Sequence, residues 1–236
     1  QHERFLSYLH RIQDEDLTLG VAMTDGKGDR SKRPGDQAVR DSYVHITKRS
    51  AEGVVISGVK AIVTGGPYMH ELLVMPCRTM RKEDADFAIC CAVPIDAKGL
   101  TIISRPAGRP GEAEAEFSSK YGQSVAVCHF DQVFVPWDQV FFAGEHEYTE
   151  HLVTSYANHH RHSCIGARAG FGDLLIGAGA LMTEANGLDM ETVPHLRDSM
   201  AELIKLVEGF FACGVAASVY GIQDPCGSWM PEPVFS

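Results

Sequence analysis

The chain changes character near its middle, and this change most constrains what it can fold into. Over residues 17–142, short β-rich runs such as FAICCAV alternate with Gly, Pro, Asp and Asn. Such runs indicate strands, and strands without long helices between them favour an antiparallel sandwich or barrel. Residues 154–186 are instead free of proline and rich in Ala, Leu and Ile. The sequence therefore predicts an α+β chain in which helices follow a β domain.

Three segments are expected along the chain. Apolar residues at helical spacing between Phe5 and Ile12 predict the end of a helical segment over residues 1–16. A β-barrel or sandwich is expected over residues 17–144, and a partial helical domain over 145–236. Two long helices cannot bury both of their faces, so they are expected to need a partner: the β domain, further chain or another subunit.

Charge and cysteine content exclude some classes of function. Among 236 residues, 31 acidic side chains stand against 21 basic ones, a formal net charge of -10. This balance argues against nucleic-acid binding, which needs a basic face. No apolar stretch reaches the roughly 20 residues of a membrane span, so no membrane partner is expected. The seven cysteines form no CxxC pair, which favours reduced thiols in a cytoplasmic protein.

Residues 22–34, AMTDGKGDRSKRP, combine glycines with Lys27 and Arg30 in a short polar loop after an apolar strand. Backbone N–H groups made accessible by glycine, with cationic side chains beside them, suit a phosphate or pyrophosphate. The alternative is a solvated turn rich in charge.

A hydroxyl followed by two glycines, Thr64-Gly65-Gly66, ends the predicted strand over residues 54–63. Glycine allows a flat ligand to approach the backbone closely, and Thr64 could donate a hydrogen bond to a ring nitrogen. The alternative is a plain tight turn.

Three histidines lie within residues 158–164, NHHRHSC, at the start of a predicted helix. His160 and Cys164 are four residues apart and so share a helix face. Both residue types bind metals and take part in catalysis, although two ligands do not complete a metal site. The alternative is a solvated helix N-terminus.

Taken together, these stretches resemble a known family. DLTLGVAMTDGKGDRSKRP, FDQVFVPWDQVFFAGE and YANHHRHSCIGARAGFGDLLIGAGALMTEANG occur in family order along nearly the whole chain. They are similar to the 4-hydroxybutyryl-CoA dehydratase/vinylacetyl-CoA isomerase branch of the 4-hydroxyphenylacetate 3-hydroxylase superfamily. The resemblance implies an acyl-CoA-dehydrogenase-like architecture, with a helical N-terminal domain that lies outside this chain, and subunits that form homotetramers.

The resemblance also implies that FAD lies between the β domain and the helices. The loop over residues 22–34 would then bind the pyrophosphate of this dinucleotide, and Thr64 would donate a hydrogen bond to the edge of its ring. The residues expected to bind FAD are Met23, Thr24, Asp25, Lys27, Gly28, Asp29, Arg30, Thr64 and Gly65.

A four-iron iron–sulfur cluster is a further implied cofactor, with His160 as the matching ligand. The sequence departs from the family pattern seven residues later, where Ala167 stands in place of a ligand cysteine. Cys164 could substitute, since it lies one turn from His160. The expected catalytic residues are His160, Cys164 and Arg168.

Three functions remain open on this basis. The first is a flavin-dependent lyase or isomerase that acts on a short acyl-CoA. The second is an FADH2-dependent monooxygenase that acts on a phenol, and the third is a catalytically degenerate subunit or a fragment that pairs with a complementary chain.

Overall fold

The computed structural model describes residues 1–108 and 120–236, which form two compact units, Gln1–Val153 and Thr154–Ser236. The first unit begins with helix α1 (His2–Asp14) and continues with eight strands. These are β1 (Leu19–Ala22), β2 (His45–Arg49), β3 (Gly53–Thr64), β4 (Glu71–Val74), β5 (Ile89–Pro94), β6 (Leu100–Arg105), β7 (Val125–Pro136) and β8 (Val140–Ala143).

Two four-stranded sheets make up the β unit, in the orders β1-β4-β5-β8 and β2-β3-β7-β6. All pairs are antiparallel except one, because β1 lies parallel to β4. The antiparallel β domain expected from the sequence is confirmed, and the β1–β4 pair is its one parallel exception among the described strands. The chain between these two strands contributes the β2–β3 hairpin to the other sheet before it returns as β4, and such a crossover permits parallel pairing.

The core of this unit collects the inward side chains of both sheets. Val54 and Ile56 of β3, Phe130 of β7, and Leu72 and Val74 of β4 are fully buried. Alternation along β3 and β7 places every second side chain in this core, as the period of a strand requires. Helix α1 packs on β8, with the Phe5 and Tyr8 rings about 5 Å from the ring of Phe141.

Two strands differ from the sequence-based expectation. Strand β2 was not predicted, because only its first two residues are buried and the rest of HITKR is polar and exposed. The runs SVAVCHF and QVFVPWDQVFF predict two separate strands, but β7 continues from one into the other through a bulge at which Gln132 has a φ of 51°.

The second unit contains most of α2 (Tyr148–Ala185), then α3 (Pro194–Val219) and a short hairpin of β9 (Ile222–Gln223) and β10 (Trp229–Met230). Pro194 lies in the first turn of α3, where its missing N–H costs little. Gly172 allows close packing of the helices, since a side chain there would collide with Val207. By length and composition α2 could cross a membrane, a test that core helices of soluble proteins also pass.

Candidate functional site

The parallel pair β1 and β4 sets the position of the predicted anion loop. Ala22 and Val74 are partners at the ends of the two strands, and the Met75 N–H donates to Ala22 O at 3.2 Å. Parallel strands end at the same edge of a sheet, so the residues that follow each strand emerge side by side. The loop that follows β1 therefore lies next to residues 75–78, which sequence reasoning did not connect with it.

Asp25, predicted to bind the cofactor, lies in a buried ion pair with Lys60. The Asp25 Oδ1 and Lys60 Nζ atoms are 2.7 Å apart, and neither residue is more than 3% exposed. Lys60 Nζ also donates to Met23 O and Met75 O at 2.9 and 2.8 Å, and the Val44 N–H donates to Asp25 Oδ1 at 3.0 Å. Buried charges need such pairing and hydrogen bonding. The Asp25 carboxylate thus stabilises the loop from its buried side, through Lys60 and the Val44 N–H.

A tight turn follows at Lys27 and Gly28, whose φ angles are 68° and 51°. The Asp29 carboxylate accepts hydrogen bonds from the N–H and hydroxyl of Ser31 at 3.0 and 2.7 Å, and these lower the pKa of Asp29. The Asp29 N–H donates to Gln37 Oε1 at 2.9 Å. Asp29 therefore shapes the turn.

The far end of the loop is held by a second ion pair, between Arg33 and Asp84. Arg33 Nε lies 3.0 Å from Asp84 Oδ2, and Arg33 Nη2 donates to Thr79 O at 3.0 Å. The Arg81 N–H donates to the same carboxylate oxygen at 3.3 Å. Burial by itself would raise the pKa of Asp84, but these hydrogen bonds outweigh it and lower the pKa. The pair joins the loop to the segment that follows β4.

A cation-rich cavity of about 350 Å³ opens between these two segments. Among the residues that the structure describes, it is lined by Lys27, Arg30, Tyr43, Cys77 and Arg78, a set with three cations and no carboxylate. Burial raises the pKa of Tyr43, and a hydrogen bond with Arg78 opposes that rise. Burial likewise raises the pKa of the Cys77 thiol. Of the five residues, sequence reasoning identified Lys27 and Arg30. The position of Cys77 and Arg78 depends on the β1–β4 pairing, and Tyr43 lies between Ser42 and Val44, which bond to the loop at Lys27 and Asp25.

Thr64 and Gly65 lie at the end of β3 and do not line this cavity. Thr64 is exposed and pairs with Val125, and the Gly65 N–H donates to Ser124 O at 2.7 Å. Gly65 has a φ of 69°, which glycine adopts at little cost. Ile62, three residues before Gly65 on β3, has a φ of 58° at a bulge, which is an uncommon conformation for a β-branched residue. That the loop and this step bind one dinucleotide stays a prediction.

The histidine cluster lies on α2 in the other unit. Cys164 Sγ is 3.8 Å from Nδ1 and 3.7 Å from Nε2 of His160, and the Tyr156 ring stacks on His160 at 5.5 Å. Arg168 is exposed one turn further along the helix. The structure thus brings His160 and Cys164 together as their spacing predicts.

His159 and His162 contribute to a different cavity of about 260 Å³, also lined by Ser218 and Trp229. His162 Nε2 is 3.1 Å from Ser218 Oγ, which donates to Gly214 O. The histidines of NHHRHSC therefore do not form one cluster.

The donors among the described residues do not by themselves complete a four-iron cluster. Such a cluster is held by four protein ligands, usually thiolates. Across residues 1–108 and 120–236, no three His, Cys, Asp or Glu side chains are placed to share a metal ion. His160 and Cys164 supply two donors, and Ala167 supplies none.

Family models match both units of the chain. One described as 4-hydroxyphenylacetate 3-hydroxylase N terminal matches residues 1–142, and one described as its C terminal matches residues 149–236. The resemblance inferred from the sequence is confirmed.

Individual relatives include enzymes of two kinds. The 4-hydroxybutyryl-CoA dehydratase/vinylacetyl-CoA-Delta-isomerase of Clostridium aminobutyricum is 35% identical over 97% of this chain and 47% of its own length. The oxygenase component of 4-hydroxyphenylacetate 3-monooxygenase of Thermus thermophilus is 26% identical over 98% of this chain and 48% of its own. The chain thus spans about half the length of these relatives.

Solved structures give the same result for the fold. An oxygen-tolerant archaeal 4-hydroxybutyryl-CoA dehydratase from N. maritimus has a TM-score of 0.89 at 37% identity, over 99% of this chain and 47% of that one. The oxygenase component of 4-hydroxyphenylacetate 3-monooxygenase complexed with FAD has a TM-score of 0.85 at 25% identity, over 99% of this chain and 49% of that one. An acyl-CoA dehydrogenase from Geobacillus kaustophilus has a TM-score of 0.59 at 16% identity, over 84% of this chain and 48% of that one. This similarity shows the fold alone. The acyl-CoA-dehydrogenase-like architecture is therefore confirmed, and the chain belongs to the 4-hydroxyphenylacetate 3-hydroxylase family.

Proposed function

We propose that this chain is part of a flavin-dependent enzyme that acts on a short acyl-CoA thioester, of the 4-hydroxybutyryl-CoA dehydratase/vinylacetyl-CoA isomerase kind. The observation that carries the proposal is the identity to that enzyme, 35% over nearly the whole chain, against 26% to the phenol monooxygenase of Thermus thermophilus.

FAD is the cofactor in this proposal, and the cation-rich cavity fits part of it. Lys27, Arg30 and Arg78 give that cavity a positive charge, with no lining carboxylate among residues 1–108 and 120–236, which suits a pyrophosphate. The neighbouring turn adds glycine-rich backbone that can approach phosphate oxygens. When bound, FAD supplies the redox chemistry that amino-acid side chains lack.

The chain's own residues have binding and orienting roles in this proposal. Lys27 and Arg30 hold the anionic part of the cofactor from one side of the cavity, and Arg78 holds it from the other. Tyr43 keeps its phenolic proton at neutral pH, as an ordinary tyrosine with a pKa of about 10 does, and burial raises its pKa further, so it can donate a hydrogen bond. Thr64 donates to the edge of the flavin ring.

On α2, His160, Cys164 and Arg168 are the proposed catalytic residues. His160 contacts Cys164 through its ring nitrogens, which places the imidazole beside the thiol. Arg168 supplies a permanent positive charge one turn away.

FAD binding tests the first part of the proposal. The purified protein should show flavin absorption bands and quench the fluorescence of added FAD. Arg30→Ala should weaken FAD binding about tenfold to a hundredfold, because charge-assisted hydrogen bonds contribute roughly 1.5–3 kcal/mol. Lys98→Ala, which removes an exposed cation outside the cavity, is the matched control and should bind FAD like the wild type.

Substrate conversion tests the second part. Conversion of 4-hydroxybutyryl-CoA or crotonyl-CoA without oxygen supports the dehydratase or isomerase, and turnover only of a phenol, with FADH2 and oxygen, would contradict it. The phenol monooxygenase is the second candidate, favoured by the incomplete set of cluster donors around His160. A protein that binds no FAD would instead be a degenerate or complementary subunit.

We also propose a cytoplasmic homotetramer. All seven cysteines are free thiols, as expected in a reducing compartment. Large apolar side chains on α2 and α3, including Leu181, Met182 and Phe211, are more than half exposed and favour subunit contacts. Light scattering of the purified protein measures the assembly.

A further inference from the structure

Two segments of the β unit supply four of the five described residues that line the cation-rich cavity, and buried charged side chains join the segments at both ends. Residues 23–33 carry Lys27 and Arg30, and residues 75–84 carry Cys77 and Arg78. Lys60 joins the segments at one end and the Arg33–Asp84 pair joins them at the other.

Lys60 itself has no donor left for a ligand. An ammonium group has three N–H donors. The three acceptors near Lys60 Nζ are Asp25 Oδ1 at 2.7 Å, Met23 O at 2.9 Å and Met75 O at 2.8 Å. Because the side chain is also 2% exposed, it lies beneath the cavity and cannot act as one of its binding cations.

A lysine is unexpected at this position of β3. The strand places Val54 and Ile56 in the core with the same alternation that makes Lys60 point inward. An apolar residue would satisfy this pattern at lower desolvation cost, and natural proteins tend to break such patterns where function requires it.

We propose that Lys60 is a positioning residue for anion binding in the cation-rich cavity. Its bonds to Met23 O and Asp25 on one segment and to Met75 O on the other hold Lys27 and Arg30 opposite Arg78. Loss of Lys60 lets the segments separate, and the cavity then loses affinity for a polyanion. The proposal rests on the proposed function only for the identity of that anion, FAD.

The test replaces both members of the buried Lys60–Asp25 ion pair in one variant. Lys60→Met alone leaves Asp25 buried and unpaired and could unfold the protein, whereas Lys60→Met/Asp25→Asn leaves no charge at either position of this pair and keeps an acceptor for the Val44 N–H. Lys48→Met removes an exposed lysine of β2 in the same sheet and is the matched control.

Two quantities are measured. The first is the backbone hydrogen exchange of residues 23–33 and 75–84, with and without ligand. The second is the dissociation constant for inorganic pyrophosphate and for FAD, each obtained by titration. In the double variant, exchange in both segments should rise, and both constants should rise at least about tenfold. Lys48→Met should change neither.

Each alternative result is decisive. A folded double variant with wild-type affinities overturns the proposal, even if its exchange is faster, since Lys60 would then be merely structural. If the wild type binds pyrophosphate but not FAD, the proposed function fails, and the pyrophosphate constants alone decide the role of Lys60. Wild-type protein that binds neither ligand overturns both.

Discussion

The two units of this chain differ in how far their large apolar side chains are exposed. In the β unit, Phe130 and Leu72 are completely buried between the two sheets. In the helical unit, Leu181 and Phe211 are 68% and 58% exposed. The β unit therefore contains its own core, while the helices present apolar surface that a soluble protein ordinarily covers.

The candidate sites differ in the same way. The cation-rich cavity, the residues that line it and the ion pairs that hold it all belong to the β unit. On α2, the partly exposed pair of His160 and Cys164 has two donors and no third that could share a metal ion among the described residues. A site is better defined where the surrounding unit buries and fixes its own parts.

The largest test of this contrast is truncation of one phenylalanine in each unit. Phe130→Ala should lower the free energy of unfolding by about 3–5 kcal/mol, because it opens a cavity in the core. Phe211→Ala, at an exposed position, should change it by about 0.5 kcal/mol or less. Urea unfolding followed by circular dichroism and tryptophan fluorescence measures both; Trp137 reports on the β unit and Trp229 on the helical unit. Equal costs would show that Phe211 is buried in solution.

Thiol reactivity gives a second contrast between the units. Burial raises the pKa of Cys90 to about 12 and of Cys128 to about 11, whereas Cys213 and Cys226 are exposed. Since the thiolate reacts, alkylation by iodoacetamide at pH 8 should be at least about a hundredfold slower in the first pair than in the second. Peptide mass spectrometry over time measures the rates, with urea-unfolded protein as the control in which all cysteines react. Fast labelling of Cys128 in the native protein would contradict the closed core.

Acid should weaken the ion pair that closes the cavity segments. The pKa of Asp84 is lowered in the folded protein, so its contribution is present above the unfolded value, about 3.9, and is lost as the pH falls through the folded pKa. Asp84→Asn should cost about 1.5–3 kcal/mol at pH 7, and the difference from the wild type should shrink below about pH 4. Unfolding free energies across this range measure the effect.

Asp86→Asn is the control for that experiment. Asp86 pairs with Arg40 at 2.8 Å, but both side chains are about half exposed, so its loss should cost between about 0 and 1 kcal/mol at any pH. A cost as large as that of Asp84→Asn would show that burial does not distinguish the two pairs.

Local patterns in the sequence predicted most of the elements, because strand and helix periods appear directly in the positions of apolar residues. They predicted β3, β5 and both long helices, and they predicted that His160 and Cys164 lie close together. They failed at β2, whose HITKR is mostly polar, and at β7, where the bulge near Gln132 interrupts the alternation.

The cavity could be predicted only in part, since its two halves are far apart in sequence. Lys27 and Arg30 lie in a glycine-rich loop that is visible locally. Cys77 and Arg78 join them because β1 pairs in parallel with β4, and no local pattern indicates that pairing. The one signal that was overlooked is Lys60, a charged residue at an inward position of an apolar strand.

The smallest expected effect concerns metal content at the incomplete site on α2. Protein purified without oxygen should contain iron and acid-labile sulfide at background level, because Ala167 supplies no donor beside His160 and Cys164. Elemental and sulfide analysis measures this. About four irons and four sulfides per chain would contradict the prediction, and Cys164→Ser would then show whether Cys164 has replaced the missing ligand. Retention of the cluster in Cys164→Ser would mean that ligands from outside this pair hold it, and that the exposed helix face is completed by another part of the enzyme.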